Sequence, residues 1–202
     1  MALIDNKIIN ISNVPSILAL DMAGQPMRWI TYQDSCYYAA KGLIAWTPTE
    51  SEITIFGGHC QLDGKQSSLT MNTIVAIKGK VSNKHQKRSA IPPLTNRALF
   101  RRDKNICAYC GGEFSAAKLT RDHIQPTSRG GVNKWTNVVS ACGSCNKHKD
   151  ARTPEEANMK LLYVPYAPNR AEFLILQNRK ILADQMDFLM KQVPAHSRLH
   201  AN

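Results

Sequence analysis

Four of the six cysteines stand in two short pairs, Cys107-Ala-Tyr-Cys110 and Cys142-Gly-Ser-Cys145. Two residues between sulfurs let both members of a pair reach one ion, and two such pairs supply the four soft thiolates of a tetrahedral structural zinc site. Between the pairs lie an adjacent carboxylate and imidazole, Asp122-His123. A carboxylate is a hard oxygen ligand suited to a divalent cation such as Mg²⁺ or Mn²⁺, and a neutral imidazole takes a proton near pH 7. Together they could hydrolyse a phosphodiester. On a strand the two side chains point to opposite faces. Sharing one site therefore requires the strand to end or bend there, and Pro126 with Gly130-Gly131 supplies a break. Cys36 and Cys60 are isolated and read as buried small hydrophobes; His59 beside Cys60 has no partners that would make a metal site.

The charge points the same way. Of 26 Lys and Arg, sixteen fall within residues 78–152, with only four of the 15 Asp and Glu. That stretch carries +12 and the remainder −1, within a total of +11. A localised basic block is the footprint of a polyanion binder; the plainer reading is a solvated face. Apolar runs such as Ile17–Leu20 and Phe173–Leu176 are four residues, and none approaches the roughly 20 of a membrane span. No basic start leads into an apolar stretch at the N-terminus, so no secretory signal is expected. A reducing cytoplasmic setting follows, with thiols bound to metal and not paired as disulfides.

The elements that must position these residues read as α+β. Ile17–Met22 and Met27–Tyr32 flank Ala23-Gly24-Gln25-Pro26 as a hairpin. Asp34 is expected to cap a helix over Cys36–Lys41, and Leu43–Thr47, Glu52–Phe56 and Leu69–Ile77 read as strands. Lys78–Pro93 is a basic linker or DNA-tracking arm, which divides an N-terminal α+β region (1–92) from a domain over 93–202. Thr95 caps Asn96–Asp103. Thr153-Pro154-Glu155-Glu156 looks like a helix start, and Asn169-Arg-Ala-Glu172 opens a helical stretch running to about Val193. No nucleotide-binding glycine loop is present.

Read in order, the inter-pair segment is Leu119-Thr-Arg-Asp122-His123-Ile-Gln-Pro126, Ser128-Arg-Gly-Gly131 and Trp135-Thr-Asn137; Asn146-Lys147-His148-Lys149 follows the last cysteine. This order, with both cysteine pairs, resembles the HNH nuclease family of phage and bacterial type over about Leu99–Glu156. Ile17–Trp46 also resembles the leader that precedes many members. The resemblance implies a ββα-metal core with a zinc ribbon, preceded by a small mixed region and followed by C-terminal helices. It implies structural Zn²⁺ on Cys107, Cys110, Cys142 and Cys145, and catalytic Mg²⁺ or Mn²⁺ on Asp122 and Asn146. His123 would be the general base, and Asn137 would orient its ring through a backbone or side-chain contact. Asn146 stands where a histidine is common, an HNN variant, with His148 the alternative third ligand. Arg121, Arg129, Lys134, Lys147, His148 and Lys149 would contact phosphates. The implied activity is DNA endonuclease, leaving 5′-phosphate and 3′-hydroxyl ends. One centre per chain suggests a monomeric nickase in a bacterial or phage-infected cell. Two alternatives remain open, a non-catalytic zinc-ribbon DNA-binding protein and an RNA-directed nuclease such as a toxin. A second metal site formed by Asp122, His123 and Asn146 would separate the enzyme from the binding module.

Overall fold

A computed structural model of the chain describes residues 14–79, 91–178 and 180–200. Most of the expected linker lies outside these residues. Contacts divide the chain into two compact units, 1–87 with 179–191 and 88–178 with 192–202. No helix among the described residues is long and apolar enough to cross a membrane.

The first unit is built on a four-stranded sheet. β1 (Ile17–Leu20) and β2 (Pro26–Ile30) form the expected antiparallel hairpin, with Gly24 at φ +81° in its turn. β6 (Ile74–Ile77) pairs parallel with β1 and antiparallel with β3 (Ile44–Trp46), giving the order β2-β1-β6-β3. Every residue of β1 and β6 is buried, which is why both read as unbroken apolar runs without alternation. β4 (Glu52–His59) and β5 (Gln66–Asn72) form a separate hairpin whose Ile53, Ile55 and Met71 join Ile17, Ala19, Ile30, Val75 and Ile77 in one core.

Several elements depart from the sequence expectation. α1 spans Tyr32–Ala40, starting four residues early. Thr31 is its cap, and Asp34 is the reciprocal partner three residues in. The single strand expected over Leu69–Ile77 is two. Thr73 leaves the hairpin ladder, donates to Ser51 and lends its carbonyl to Leu18, which carries the chain from one sheet to the other. Cys60 is exposed on the β4–β5 connection, where every residue from 57 to 66 is exposed, and Cys36 is half-buried. The long C-terminal helical stretch is two helices, α4 (Arg170–Gln177) in the second unit and α5 (Ala183–Met190) in the first. α5 is pinned by the fully buried Gln185, whose amide donates to Ser16 and Thr73 carbonyls at 2.9 and 2.8 Å.

The second unit holds the antiparallel hairpin β7 (Leu119–His123) and β8 (Val138–Cys142), the helix α3 (Gly143–Lys149) that follows it, and α2 (Asn96–Arg102) with α4. Thr95 caps α2 as expected, through Ala98 N at 3.2 Å. Residues 154–158 form turns where a helix was expected. Thr153 and Glu156 do bond each other's backbone, but Asn158 adopts φ +54° and stops the helix after one turn. The unit closes on Leu99, Phe100, Leu119, Trp135, Val138 and Phe173. Beside them the fully buried Arg102–Asp103 pair ties α2 to the hairpin: Arg102 donates to the Trp135, Val138 and Tyr166 carbonyls, and Asp103 accepts from Ser140 N at 2.8 Å. Removing one member strands a buried charge, at a cost of about 3–5 kcal/mol. Arg102→Met is expected to lower the melting temperature by about 10 °C, since 1 kcal/mol moves a domain of this size by roughly 2–4 °C. Calorimetry checks it; an unchanged melting curve would remove the pair from the fold's supports.

Candidate active site

The first cysteine pair is a tight turn closed by Cys107 N to Gly112 O at 2.9 Å and Gly111 N to Cys107 O at 3.0 Å, with Gly111 at φ +73°. Ala108 N donates to Ser140 O at 2.8 Å, which fastens this turn to β8. The second pair is the junction of β8 and α3. Cys142 ends the strand and its sulfur accepts from Cys145 N, in the manner of a helix cap. The two pairs meet: all four Sγ atoms lie within 4.8 Å of one another. Sulfurs around one zinc at 2.3 Å stand about 3.8 Å apart, so a small contraction onto an ion completes the tetrahedron. Burial pushes the Cys107 thiol up, but backbone hydrogen bonds at Cys110, Cys142 and Tyr109 outweigh it and bring it down to about 7. Burial and the neighbouring sulfurs push Cys145 up. A metal dication removes that repulsion between thiolates. The cluster could hold a metal ion such as zinc, and no other group of three or more Cys, His, Asp or Glu placed to hold one occurs among the described residues.

Both pairs also aim side chains at β7. Tyr109, inside the first pair, donates its hydroxyl to Asp122 Oδ2. Burial and that bond push the phenol up, so it stays a donor. α3, launched by the second pair, presents Asn146 and Lys149 on one face. Asn146 Nδ2 donates to Thr120 Oγ1 at 2.9 Å, and Lys149 Nζ pairs with Asp122 Oδ1 at 3.0 Å. Thr120 and Asp122 share that face of β7 by the period of two, while Arg121 and His123 take the opposite one. The structure thus brings Lys149 to Asp122 and Asn146 to Thr120 on one face of β7. His123 stands on the other face as the last residue of β7, and its Nε2 is buried without a hydrogen-bond partner.

Asn137 secures the turn beyond His123. Its side chain accepts from Gln125 N at 2.9 Å and donates to the Gln125 and Val132 carbonyls, while its own carbonyl accepts from Ile124 N. Its side-chain bonds therefore go to loop backbone, and only its carbonyl meets the chain next to His123. Gly131 fits here because a Cβ would lie 1.8 Å from Gln125 O. Of the expected phosphate contacts, Lys134, Lys147 and His148 are exposed and Arg121 donates to Asn133 Oδ1. Arg129 Nη1 donates to both carboxylate oxygens of Glu156 at 2.6–2.7 Å. Lys149 departs from the expectation: its side chain is 1% exposed and already paired, so it presents nothing to a phosphate. His148 lies on the exposed side of α3, apart from Asn146 and Asp122.

Residues 107–162 match the family model of HNH endonucleases. The chain carries an HNH domain. The match begins at the first cysteine of the cluster and takes in Asp122, His123, Asn137 and Asn146, so this domain suggests a nuclease. No curated protein matches the chain. Sequence reasoning missed Tyr109, Thr120 and the pairing of Lys149. The signal for Lys149 was its i+3 spacing from Asn146, which puts both on one helix face.

A divalent ion at the HNH centre is testable against the donors present. Asp122 has carboxylate oxygens and Asn146 an amide oxygen, the ligand types Mg²⁺ and Mn²⁺ prefer. A carboxylate has about four acceptor positions, of which Tyr109 and Lys149 take two. The ligand types fit such an ion, which would share the Asp122 carboxylate with the Lys149 ammonium 3.0 Å from one oxygen.

Two outcomes are expected. Purified protein contains about one zinc per chain, and Cys107→Ser or Cys145→Ser loses it and unfolds the second unit, since such sites contribute folding free energy on the order of 10 kcal/mol. Metal analysis with circular dichroism checks this. Gly131→Ala lowers the melting temperature by about 5 °C or more through the clash with Gln125. Gly143→Ala, with open space at its Cβ, does not.

Proposed function

We propose that this chain is a metal-dependent DNA endonuclease whose HNH domain hydrolyses phosphodiester bonds to 5′-phosphate and 3′-hydroxyl ends. The observation that carries the reading is that Asp122 and Thr120, the residue Asn146 meets, share one face of β7, on a frame set by four clustered cysteines. Cys107, Cys110, Cys142 and Cys145 hold structural Zn²⁺. Asp122 and Asn146 hold Mg²⁺ or Mn²⁺, which supplies charge stabilisation for the scissile phosphate and the departing oxygen when bound. His123 takes the proton from the attacking water; its Nε2 is buried without a hydrogen-bond partner on the face of β7 opposite Asp122, so the water must reach it at the end of the strand. Asn137 keeps the backbone beside His123 in place. Arg121, Lys134, Lys147 and His148 line the basic region that meets the DNA backbone. The protein works in the cytoplasm, and as a monomer with one centre it nicks before it linearises.

One observation favours a second reading. The Asp122 carboxylate is satisfied by Tyr109 and Lys149 without any metal, as in a zinc-ribbon DNA-binding module that does no chemistry. Supercoiled plasmid with Mg²⁺ or Mn²⁺, with and without EDTA, separates the two. The enzyme reading expects open circles ahead of linear product and no cutting in EDTA. Plasmid shifted in a gel but never cut supports the binding module, and cleavage of RNA alone redirects the substrate. His123→Ala is expected to cut 10²–10⁴-fold more slowly at unchanged melting temperature. Asn146→Ala should cost more activity than His148→Ala; the reverse order would move the third position to His148.

A further inference from the structure

We infer that Lys149 is a positioning residue of the HNH centre: a resident cation on the Asp122 carboxylate that holds it in place and competes with the divalent ion for it. The inference rests on the nuclease reading and adds to it a control on ion binding.

Three observations lead here. The Asp122 and Lys149 side chains are 6% and 1% exposed, and their atoms are 3.0 Å apart. Charges so removed from water are tolerated only in each other's company. The registers of helix and strand also match: Asn146 meets Thr120 while Lys149, three residues on, meets Asp122, two residues on. The pairing therefore follows from how α3 lies on β7, and not from the reach of a loose side chain. Finally, Tyr109 donates to the other oxygen, so the carboxylate is held on both sides before any ion arrives. An ion approaching Asp122 meets a positive charge already 3.0 Å from one oxygen. The ammonium must withdraw or share, and either weakens the ion's hold.

The test uses the full zinc-loaded chain and Mn²⁺ as the probe, with free Mn²⁺ measured by electron paramagnetic resonance. Lys149→Met keeps the length of the side chain and removes its charge. It is expected to bind Mn²⁺ at least tenfold more tightly than the wild type. Without Mn²⁺ it should melt at a lower temperature, and Mn²⁺ should raise that temperature more than it raises the wild type's. Adding Asp122→Asn to Lys149→Met should abolish the gain. If Lys149→Met does not fold, Lys149→Gln, which can still donate to Asp122 but carries no charge, is titrated in its place. Mn²⁺ affinity unchanged or weakened in the variant overturns the inference, and so does binding to neither protein. So does failure of both variants to fold with Mn²⁺ present, because Lys149 is then only a structural counter-charge. The nuclease reading stands or falls separately. Wild type that cuts plasmid with Mn²⁺ keeps it whatever the variant binds. Wild type that never cuts, beside a variant that binds Mn²⁺ more tightly, rejects the nuclease and supports the competition.

Discussion

The meeting of four sulfurs from two chain segments more than thirty residues apart is the constraint on which the HNH domain turns. Each cysteine pair does more than offer ligands. The first carries Tyr109, which reaches Asp122 from one side. The second converts β8 into α3, and α3 brings Asn146 and Lys149 onto β7. Were the two pairs to separate, the helix would lose the register that seats Lys149 on a buried carboxylate. The cysteine cluster and the Asp122 carboxylate are thus parts of one assembly, with Asp122 held between side chains that both start at the cluster.

A second clamp acts on the opposite end of the hairpin. Arg102 satisfies three carbonyls and Asp103 the amide of Ser140, with Trp135 Nε1 donating to Pro92 beside them. Buried ion pairs of this kind add little net stability over an apolar filling, but they penalise every arrangement in which their partners are displaced. Their effect is to fix where β8 lies, and β8 sets the register of β7 and the start of α3. The β7–β8 loop is held independently by Asn137 and by the close approach at Gly131. The backbone on either side of His123 is therefore determined by contacts that leave its Nε2 unclaimed.

Much of this was legible in the amino-acid sequence because it depends on short range. Two residues between cysteines, an Asp-His pair, a Thr ahead of Asn96 and an Asn ahead of Arg170 act through the nearest few bonds of the chain. The cysteine cluster, the caps of α2 and α4, and the first hairpin follow from such patterns. The family resemblance drew on the same local spacings. What failed were readings that needed to know what lies alongside: one strand over 69–77 where Thr73 transfers the chain between sheets, one C-terminal helix where Gln185 is drawn into the first unit, and a helix at 154 that Asn158 ends.

Lys149 shows the division most clearly. The sequence by itself determined that a lysine follows Asn146 by three residues, on the same helix face, in a strongly basic stretch whose charge reads as a phosphate contact. Only the tertiary structure decided that α3 lies over the face of β7 bearing Asp122, so that this one lysine is buried and paired while Lys147 and His148 beside it face water. The physical reason is that charge and spacing are properties of the chain. The cost or gain of a charge depends on the solvent or counter-charge that packing puts next to it.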